Sequence, residues 1–412
     1  MTAKTHNNPV IEKKLIFVIN STFPSYSGGI ENWLYNILKS IPEGYTVRIL
    51  SIKKTNAQPF YDIPLNSKIS VKQIVTLRSK KYYELLNKFP FRLIMFVEQI
   101  YWIIKATYKL VLDDSEIIVA LHSIPTIIPC IIAKGMNRNK KVICSVRGVV
   151  GDDYLSMSKY FLAKIYMILE KFFLTKADKV LANGWDTKKY LLNIGIDSTV
   201  SPNGVDYKKF SKNYSVFNEN SNHIRMLIEK QKGGAKLLVH VATLRGKIKG
   251  IEDVIYLASR IKKESQYLNE FYILFVGKGN SRPYKQIAEK LGVLNQCIFL
   301  GEIKKVERIL HISDIVVCLF RGGGTSQAVI ESMAAGKPII TWDTLFYSQI
   351  IQNNIHGLLI EKNNFSDMVK AIDKILSNHS LTHKLSKNAQ KKAEWFDWTQ
   401  VRKRLFNEIN HV

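Results

Sequence analysis

At 412 residues, 46% hydrophobic and 23% charged, the chain has a folded protein's composition with room for two ordinary domains, which excludes a disordered tail or linker. Its formal net charge of +26 points to an anionic partner (nucleic acid, an anionic membrane surface or a phosphorylated substrate), against the plainer reading of a lysine-rich bias with solvated charges. No uninterrupted apolar stretch reaches membrane-spanning length; residues 117–133 come closest but carry His122, Ser123, Pro125 and Pro129.

The four cysteines, Cys130, Cys144, Cys297 and Cys318, lie far apart in apolar runs without a C-x-x-C spacing, so they read as buried, reduced thiols. Residues 1–9 are polar and the apolar run after them is short, so no signal peptide is expected. The expected location is cytoplasmic, with peripheral attachment to the inner face of the cytoplasmic membrane as an extension of that reading.

In chain order, Lys14 to Asn20 predicts a short buried strand, followed by a loop ending in Gly28-Gly29 and a helix from Ile30 to Leu38 with Glu31 in its first turn. Glycines at a helix entrance let a ligand approach the backbone, and a plain turn is the competing reading. Strands are predicted over Val47 to Ile52 and Ile69 to Ile74. Phe89 to Leu112 predicts a helix whose polar residues, Arg92, Glu98, Gln99, Lys105 and Lys109, cover less than half of its circumference. Such a helix is buried on most sides or inserted in a bilayer interface, and Arg78, Lys80, Lys81 and Lys88 just upstream favour the second as much as packing favours the first.

Glu116 to Leu121 predicts a strand ending at His122-Ser123, and Val142 to Val146 another ending at Arg147-Gly148, with Asp152 and Asp153 beyond. Ligands of open α/β sheets gather at the carboxyl ends of strands, which makes His122, Arg147 and Asp152 candidates by position. A helix over Lys159 to Thr175 and a strand over Lys179 to Ala182 follow. A turn cluster, Ser201 to Asp206, then gives way to a polar stretch, Ser211 to Lys236, and the domain boundary falls in this region.

A second series of alternating elements begins with a strand at Leu237 to Val241 and the loop Thr243-Leu244-Arg245-Gly246-Lys247-Ile248-Lys249-Gly250. A helix over Ile251 to Lys262, a strand over Phe271 to Val276 with Gly277-Lys278-Gly279, and a helix over Pro283 to Leu291 follow. Next come a strand over Cys297 to Leu300 with Gly301-Glu302, and a short helix near Val306 to Leu310. Strand Ile315 to Phe320, loop Arg321 to Ser326, helix Gln327 to Ala335 and strand Ile339 to Trp342 form a βαβ unit. Its helix opens on Gly322, Gly323, Gly324, Thr325 and Ser326, where free N–H groups and the helix dipole favour an anion, and Glu331 lies within the first two turns. A glycine-rich turn with a capped helix and a solvated Glu is the bland alternative. The chain ends with Trp395-Phe396-Asp397-Trp398 and a basic helix.

Taken in order, the Gly28-Gly29 loop with Glu31, Pro202 to Asp206, Lys249-Gly250, Val276 to Gly279, Leu300-Gly301 and Glu331 to Pro338 resemble a retaining glycosyltransferase of family 4 over nearly the whole chain. The resemblance implies a GT-B fold: two Rossmann-like doubly wound domains facing a cleft, an acceptor-binding one over 1–205, a sugar-nucleotide-binding one over 206–395, and a C-terminal helix, 396–412, packing back on the first. It further implies that Lys249 and Arg245 neutralise the donor diphosphate, that Gly323, Gly324, Thr325 and Ser326 offer N–H and hydroxyl groups to it, and that Glu331 holds the ribose. Gly28, Gly29, Gly277 and Gly301 would complete the donor site, His122, Arg147 and Asp152 would face the acceptor, and Arg147 is counted with Lys249, Arg245 and Glu331 among the catalytic residues. No cofactor and no metal is expected, since lysine, arginine and a helix end supply the positive charge.

Three positions depart from the family pattern. Gly323 stands where a second Glu is usual, Thr243 where an Arg is usual, and Arg147-Gly148 where His-Gly is common. The expected function is sugar transfer from a nucleotide-sugar to a saccharide or lipid-linked acceptor in cell-surface polysaccharide or glycolipid synthesis, at an anionic membrane surface. The alternatives are a catalytically silent nucleotide-sugar-binding protein, prompted by those departures, or a nucleic-acid-modifying transferase, prompted by the charge. Against the last, the chain has no recognised nucleic-acid motif and no sharply basic tract, so nucleic acid is not an expected partner.

Overall fold

A computed structural model describes residues 12–24, 28–53, 61–62, 68–76, 91–148, 160–212, 222–321 and 326–412. The chain divides into two units, residues 1–202 with 402–412, and residues 203–401.

Among the described residues the first unit holds a seven-stranded parallel sheet in the order β3-β2-β1-β4-β5-β6-β7. Its strands are β1 (Lys13–Val18), β2 (Tyr45–Lys53), β3 (Ile69–Val75), β4 (Ile117–Leu121), β5 (Lys141–Val146), β6 (Lys179–Ala182) and β7 (Thr199–Val200). Its helices are α1 (Gly29–Leu38), α2 (Phe91–Val111), α3 (Ile127–Met136), α4 (Tyr160–Leu174) and α5 (Trp185–Asn193). The central strands, Leu15 to Val18 and Ile117 to Leu121, are buried along their length, as a parallel sheet covered on both faces requires. The long apolar run over 117–133 resolves into β4, the turn His122–Thr126 and α3, which packs Ile127, Cys130 and Ala133 into the same core as Ile118, Cys144 and Trp102.

The second unit carries a six-stranded parallel sheet, β10-β9-β8-β11-β12-β13. Here β8 is Lys236–Val241, β9 Phe271–Val276, β10 Cys297–Gly301, β11 Ile315–Cys318, β12 Ile339–Trp342 and β13 Leu358–Ile360. The helices are α6 (Tyr207–Ser211), α7 (Asn222–Lys232), α8 (Ile251–Glu264), α9 (Arg282–Lys290), α10 (Val306–Ile312), α11 (Gln327–Ala334), α12 (Leu345–Ile350), α13 (Phe365–Ser377) and α14 (His379–Ala393). The core joins Leu238, Ile273, Phe275, Val317 and Ile340 of the strands to Val254, Leu257 and Ile261 of α8 and Met368 and Ile372 of α13.

The division falls at Pro202/Asn203 rather than at Val205/Asp206, because Val205 pairs with Asp397 and its N–H donates to the Phe396 carbonyl at 2.9 Å. The last helix, α15 (Trp398–Asn410), begins in the second unit, and its residues from Arg402 onward belong to the first. There Arg402 donates to the Asn36 carbonyl at 2.9 Å, Lys179 pairs with Glu408 at 2.5 Å and Phe406 packs edge-on against Tyr45 at 4.9 Å. The polar stretch after the boundary contains α7, whose Ile224 and Leu227 are buried while Arg225, Met226, Glu229 and Lys232 are exposed. All four cysteines are buried free thiols. Among the described residues, no helix is long and apolar enough to cross a membrane.

Candidate active site

In the second sheet the chain starts at β8, moves outward to β9 and β10, then returns to β11 on the other side of β8. Helices leave in opposite directions at that point, which opens a crevice at the carboxyl ends of β8 and β11. The β8–β11 ladder pairs only Leu238 with Ile315 and Val239 with Val316, so the strands part above Val239.

The loop after β8 closes on this crevice. It ends in a 3-10 turn, Lys247–Lys249, followed by Gly250 in the left-handed conformation at φ 68°. A Cβ on Gly250 would lie 2.0 Å from the Leu319 carbonyl oxygen, so only glycine lets the loop rest on the end of β11. That contact sets the half-buried Lys249 beside the crevice, its Nζ 4.5 Å from the Phe320 ring centroid. Burial pushes the Lys249 ammonium below its ordinary pKa, with the Cys318 thiol pulling the other way. A cation partly stripped of water gains most when an anion replaces its hydration.

On the far side of the crevice, α11 starts at Ser326, whose side chain caps none of the first-turn N–H groups. These donors and the helix dipole therefore point at the same end of the sheet as Lys249. Gly323, Gly324 and Thr325, expected to line this loop, lie outside the described residues. Glu331, half-buried one turn further along α11, accepts from the Gln327 amide at 3.1 Å. Burial pushes its carboxyl up to about 7, with Gln327 and Lys209 pulling it down and Glu307 pushing it up.

The loop after β9 reinforces the crevice wall. Gly277, at φ 151°, donates to the Gly301 carbonyl at 2.8 Å and leaves no room for a Cβ, which would lie 2.0 Å from the Ala242 oxygen. Gly277 thus serves the packing of the strand ends, Gly301 takes φ 70° with open space where a Cβ would be, and Arg245 stands exposed on the loop after β8.

The carboxyl edge of the first sheet gathers a second group. Gly28 caps α1 in extended conformation, and Gly29 has open space where a Cβ would be. His122 follows β4 with φ 94°, and the Ser123 N–H lies 2.8 Å from its Nδ1. Burial, then the charge of Arg147, push His122 down to about 4, so at neutral pH it is an uncharged imidazole with its proton on Nε2. Arg147 donates to the Ser201 carbonyl at 2.9 Å and lies over the ring of Trp33, 4.4 Å from its centroid, and burial pushes its guanidinium down to about 9. Ser201 and Trp33 therefore hold it in place. Asp152 lies outside the described residues.

The structure thus places Lys249, Arg245, Gly277, Gly301, Ser326 and Glu331 at the carboxyl edge of the second sheet, and Gly28, Gly29, His122 and Arg147 at that of the first. Sequence reasoning missed His240, Phe320, Gln327 and Trp33, each of which holds or flanks one of these residues. Their only signal was a polar or aromatic residue beside a motif. Among the described residues, no three His, Cys, Asp or Glu side chains gather where they could hold a metal ion.

Residues 226–392 match the family of group 1 glycosyl transferases, and residues 27–209 match glycosyltransferase family 4. An uncharacterized glycosyltransferase of Methanocaldococcus jannaschii, MJ1607, is 24% identical over 163 residues, which are 39% of this chain and 41% of that protein. The match therefore spans less than half of that relative's length. A second from the same organism, MJ1069, is 25% identical over 287 residues, 66% of this chain and 69% of that one. Among solved structures, Anabaena HepE in complex with UDP is similar with a TM-score of 0.72 at 16% identity, over 97% of this chain and 100% of that one. The chain belongs to the family 4, group 1 glycosyltransferases and has their GT-B fold.

Proposed function

We propose that the protein transfers a hexose from a nucleoside-diphosphate sugar to a saccharide or lipid-linked saccharide, with retention at the anomeric carbon, in the assembly of cell-surface polysaccharide or glycolipid. The observation that carries this reading is the pairing of a partly desolvated Lys249 with the uncapped start of α11 at the second sheet's switch point. Breaking the anomeric bond builds charge on the leaving diphosphate while the sugar becomes oxocarbenium-like, so a fixed cation and fixed N–H donors there lower the barrier. Glu331, as a carboxylate, would accept hydrogen bonds from the ribose hydroxyls. Arg245, exposed and free to reorient, would add charge at the diphosphate. In the first unit the Nε2–H of neutral His122 suits a sugar hydroxyl oxygen, and Arg147 would flank the acceptor. Lys249 and the helix end supply the charge, so a metal has no assigned role. Retention rests on the family resemblance, and HepE's complex with UDP supports the class of nucleotide.

The test is a thermal-shift screen against UDP, GDP, ADP and their sugar conjugates, since a ligand that binds only the folded state raises the melting temperature by mass action. One nucleotide standing out is the expected result. No shift with any of them would remove the donor site from the second unit.

We further infer that the first unit docks on an anionic membrane through α2, α3 and α4. Phe96, Ile104 and Tyr108 of α2 are 63%, 61% and 64% exposed, and Phe161 of α4 is 76% exposed. Lys105, Lys164 and Lys171 stand exposed among them, as apolar anchors with basic neighbours do at a lipid surface. An open depression of about 300 Å³ beside α4, lined by Tyr160, Met167, Ile168 and Ile194 with Lys164 and Lys171, would offer an acyl chain apolar contacts beside two cations for an anionic headgroup. Nucleic acid would use the charge and could stack on the aromatic rings, but it has no use for exposed aliphatic side chains such as Ile104 and Ile168 between the lysines.

A further inference from the structure

His240 lies in the middle of an apolar strand and is 1% exposed, with no place in the donor chemistry just proposed. Its two ring nitrogens face two carbonyl oxygens: Nδ1 lies 2.9 Å from Val317 O on β11, and Nε2 lies 2.9 Å from Lys249 O in the 3-10 turn. The ring also packs edge-on against Phe275 of β9 at 6.1 Å. The imidazole stands where the β8–β11 ladder stops, one residue beyond Val239. It spans the gap between the parting strands and grips the residue whose side chain reaches the crevice.

We propose that His240 is a positioning residue that fixes the Lys249 backbone to β11 so that the Lys249 ammonium is held at the donor diphosphate. Three constraints then converge on this one lysine: His240 on its carbonyl, the Gly250–Leu319 contact on the next residue, and the Phe320 ring under its side chain. A hydrophobic residue at 240 would fill the core equally well but would remove the ring N–H that one of these carbonyls accepts from, and with it the polar bridge from β11 to the turn. A neutral imidazole carries one N–H, so at any moment it donates to one carbonyl and only contacts the other. A buried strand residue serving packing alone needs no such arrangement of polar atoms.

This inference rests on the donor reading of Lys249, and a double-mutant cycle separates the two. The dissociation constant is measured for whichever of UDP, GDP and ADP stabilises the protein most, in wild type, His240→Leu, Lys249→Ala and the double variant. His240→Gln stands in should the leucine variant not fold, and melting temperatures are recorded throughout. If His240 acts through Lys249, its loss weakens binding roughly tenfold in the wild-type background and less than about twofold once Lys249 is alanine, as coupled neighbours behave. An equal loss in both backgrounds, or a lowered melting temperature with unchanged binding, overturns the positioning role and leaves the donor reading standing. Unchanged binding in Lys249→Ala alone overturns both.

Discussion

Gln327 and Glu331 stand one turn apart on α11, and the Gln327 amide nitrogen donates both to the Glu331 carboxylate, at 3.1 Å, and to the Gly204 carbonyl, at 2.9 Å. The glutamine thereby holds the carboxylate on one side while burial disfavours its charge, and the folded protein takes up the proton more readily than an unfolded chain would. A carboxyl raised from 4.5 to about 7 contributes stability that is fully present below its unfolded pKa and is lost as pH rises through about 7. Glu331→Gln should therefore raise stability at about pH 8 by on the order of 1–2 kcal/mol given partial exposure, seen as a higher melting temperature, and leave it unchanged near pH 4.5. The same variant should weaken nucleotide binding roughly tenfold, since an amide offers one acceptor oxygen where the carboxylate offers two. Paired melting curves and titration calorimetry check both halves.

Lys249→Ala should lower kcat/KM for the donor by roughly two to three orders of magnitude, the cost of removing one preorganised group that meets developing charge. Lys249→Arg should recover little of it, because a longer, planar guanidinium delivers its charge and N–H groups at different points from the compact ammonium. Steady-state rates of sugar-nucleotide turnover, with acceptor or water, decide it.

The α/β alternation and the places of the motifs were legible in the sequence: Lys249, Gly250, Gly277 and Glu331 lie in short motifs that follow strands of the second sheet, where the spacing of strands and loops predicts them. The supporting residues were hidden for a physical reason. His240 sits within an apolar strand, Leu237 to Val241, where a lone histidine looks like a satisfied core residue, and only the divergence of β8 from β11 reveals the gap it fills. Helix α3 was missed because Ile127 to Ala133 is a short run that is apolar apart from Pro129 and carries no periodicity to separate strand from helix. Helix α7 was missed for the opposite reason, since a few buried side chains sit among polar ones.

Gly250→Ala should be among the most damaging small substitutions in the chain. The new methyl would sit 2.0 Å from the Leu319 carbonyl oxygen, at a φ of 68° that alanine disfavours. Backbone atoms cannot step aside as a side chain tip can, so the loop must lift from β11 at a cost above about 2 kcal/mol. The expected readout is a lower denaturant midpoint together with weakened nucleotide binding. Gly29→Ala, with open space around its Cβ, should leave the midpoint nearly unchanged.

The membrane reading makes a prediction that separates docking from catalysis. Replacing Phe96, Ile104 and Tyr108 together by serine removes apolar side chains that are each more than half exposed, so folding should lose little. If the face of α2 inserts at the lipid boundary, the triple variant should no longer sediment with vesicles containing anionic phospholipid. Turnover of the sugar nucleotide with a soluble acceptor should stay within about twofold of wild type, and the Km for a vesicle-embedded acceptor should rise. Charge contributes separately: Lys164→Glu with Lys171→Glu should weaken binding to anionic vesicles most at low salt, because attraction between surface charges fades within a Debye length of about 10 Å at 0.1 M ionic strength. Binding that persists in both variants, or that is equal for zwitterionic and anionic vesicles, would show that this face is covered by something other than an anionic bilayer.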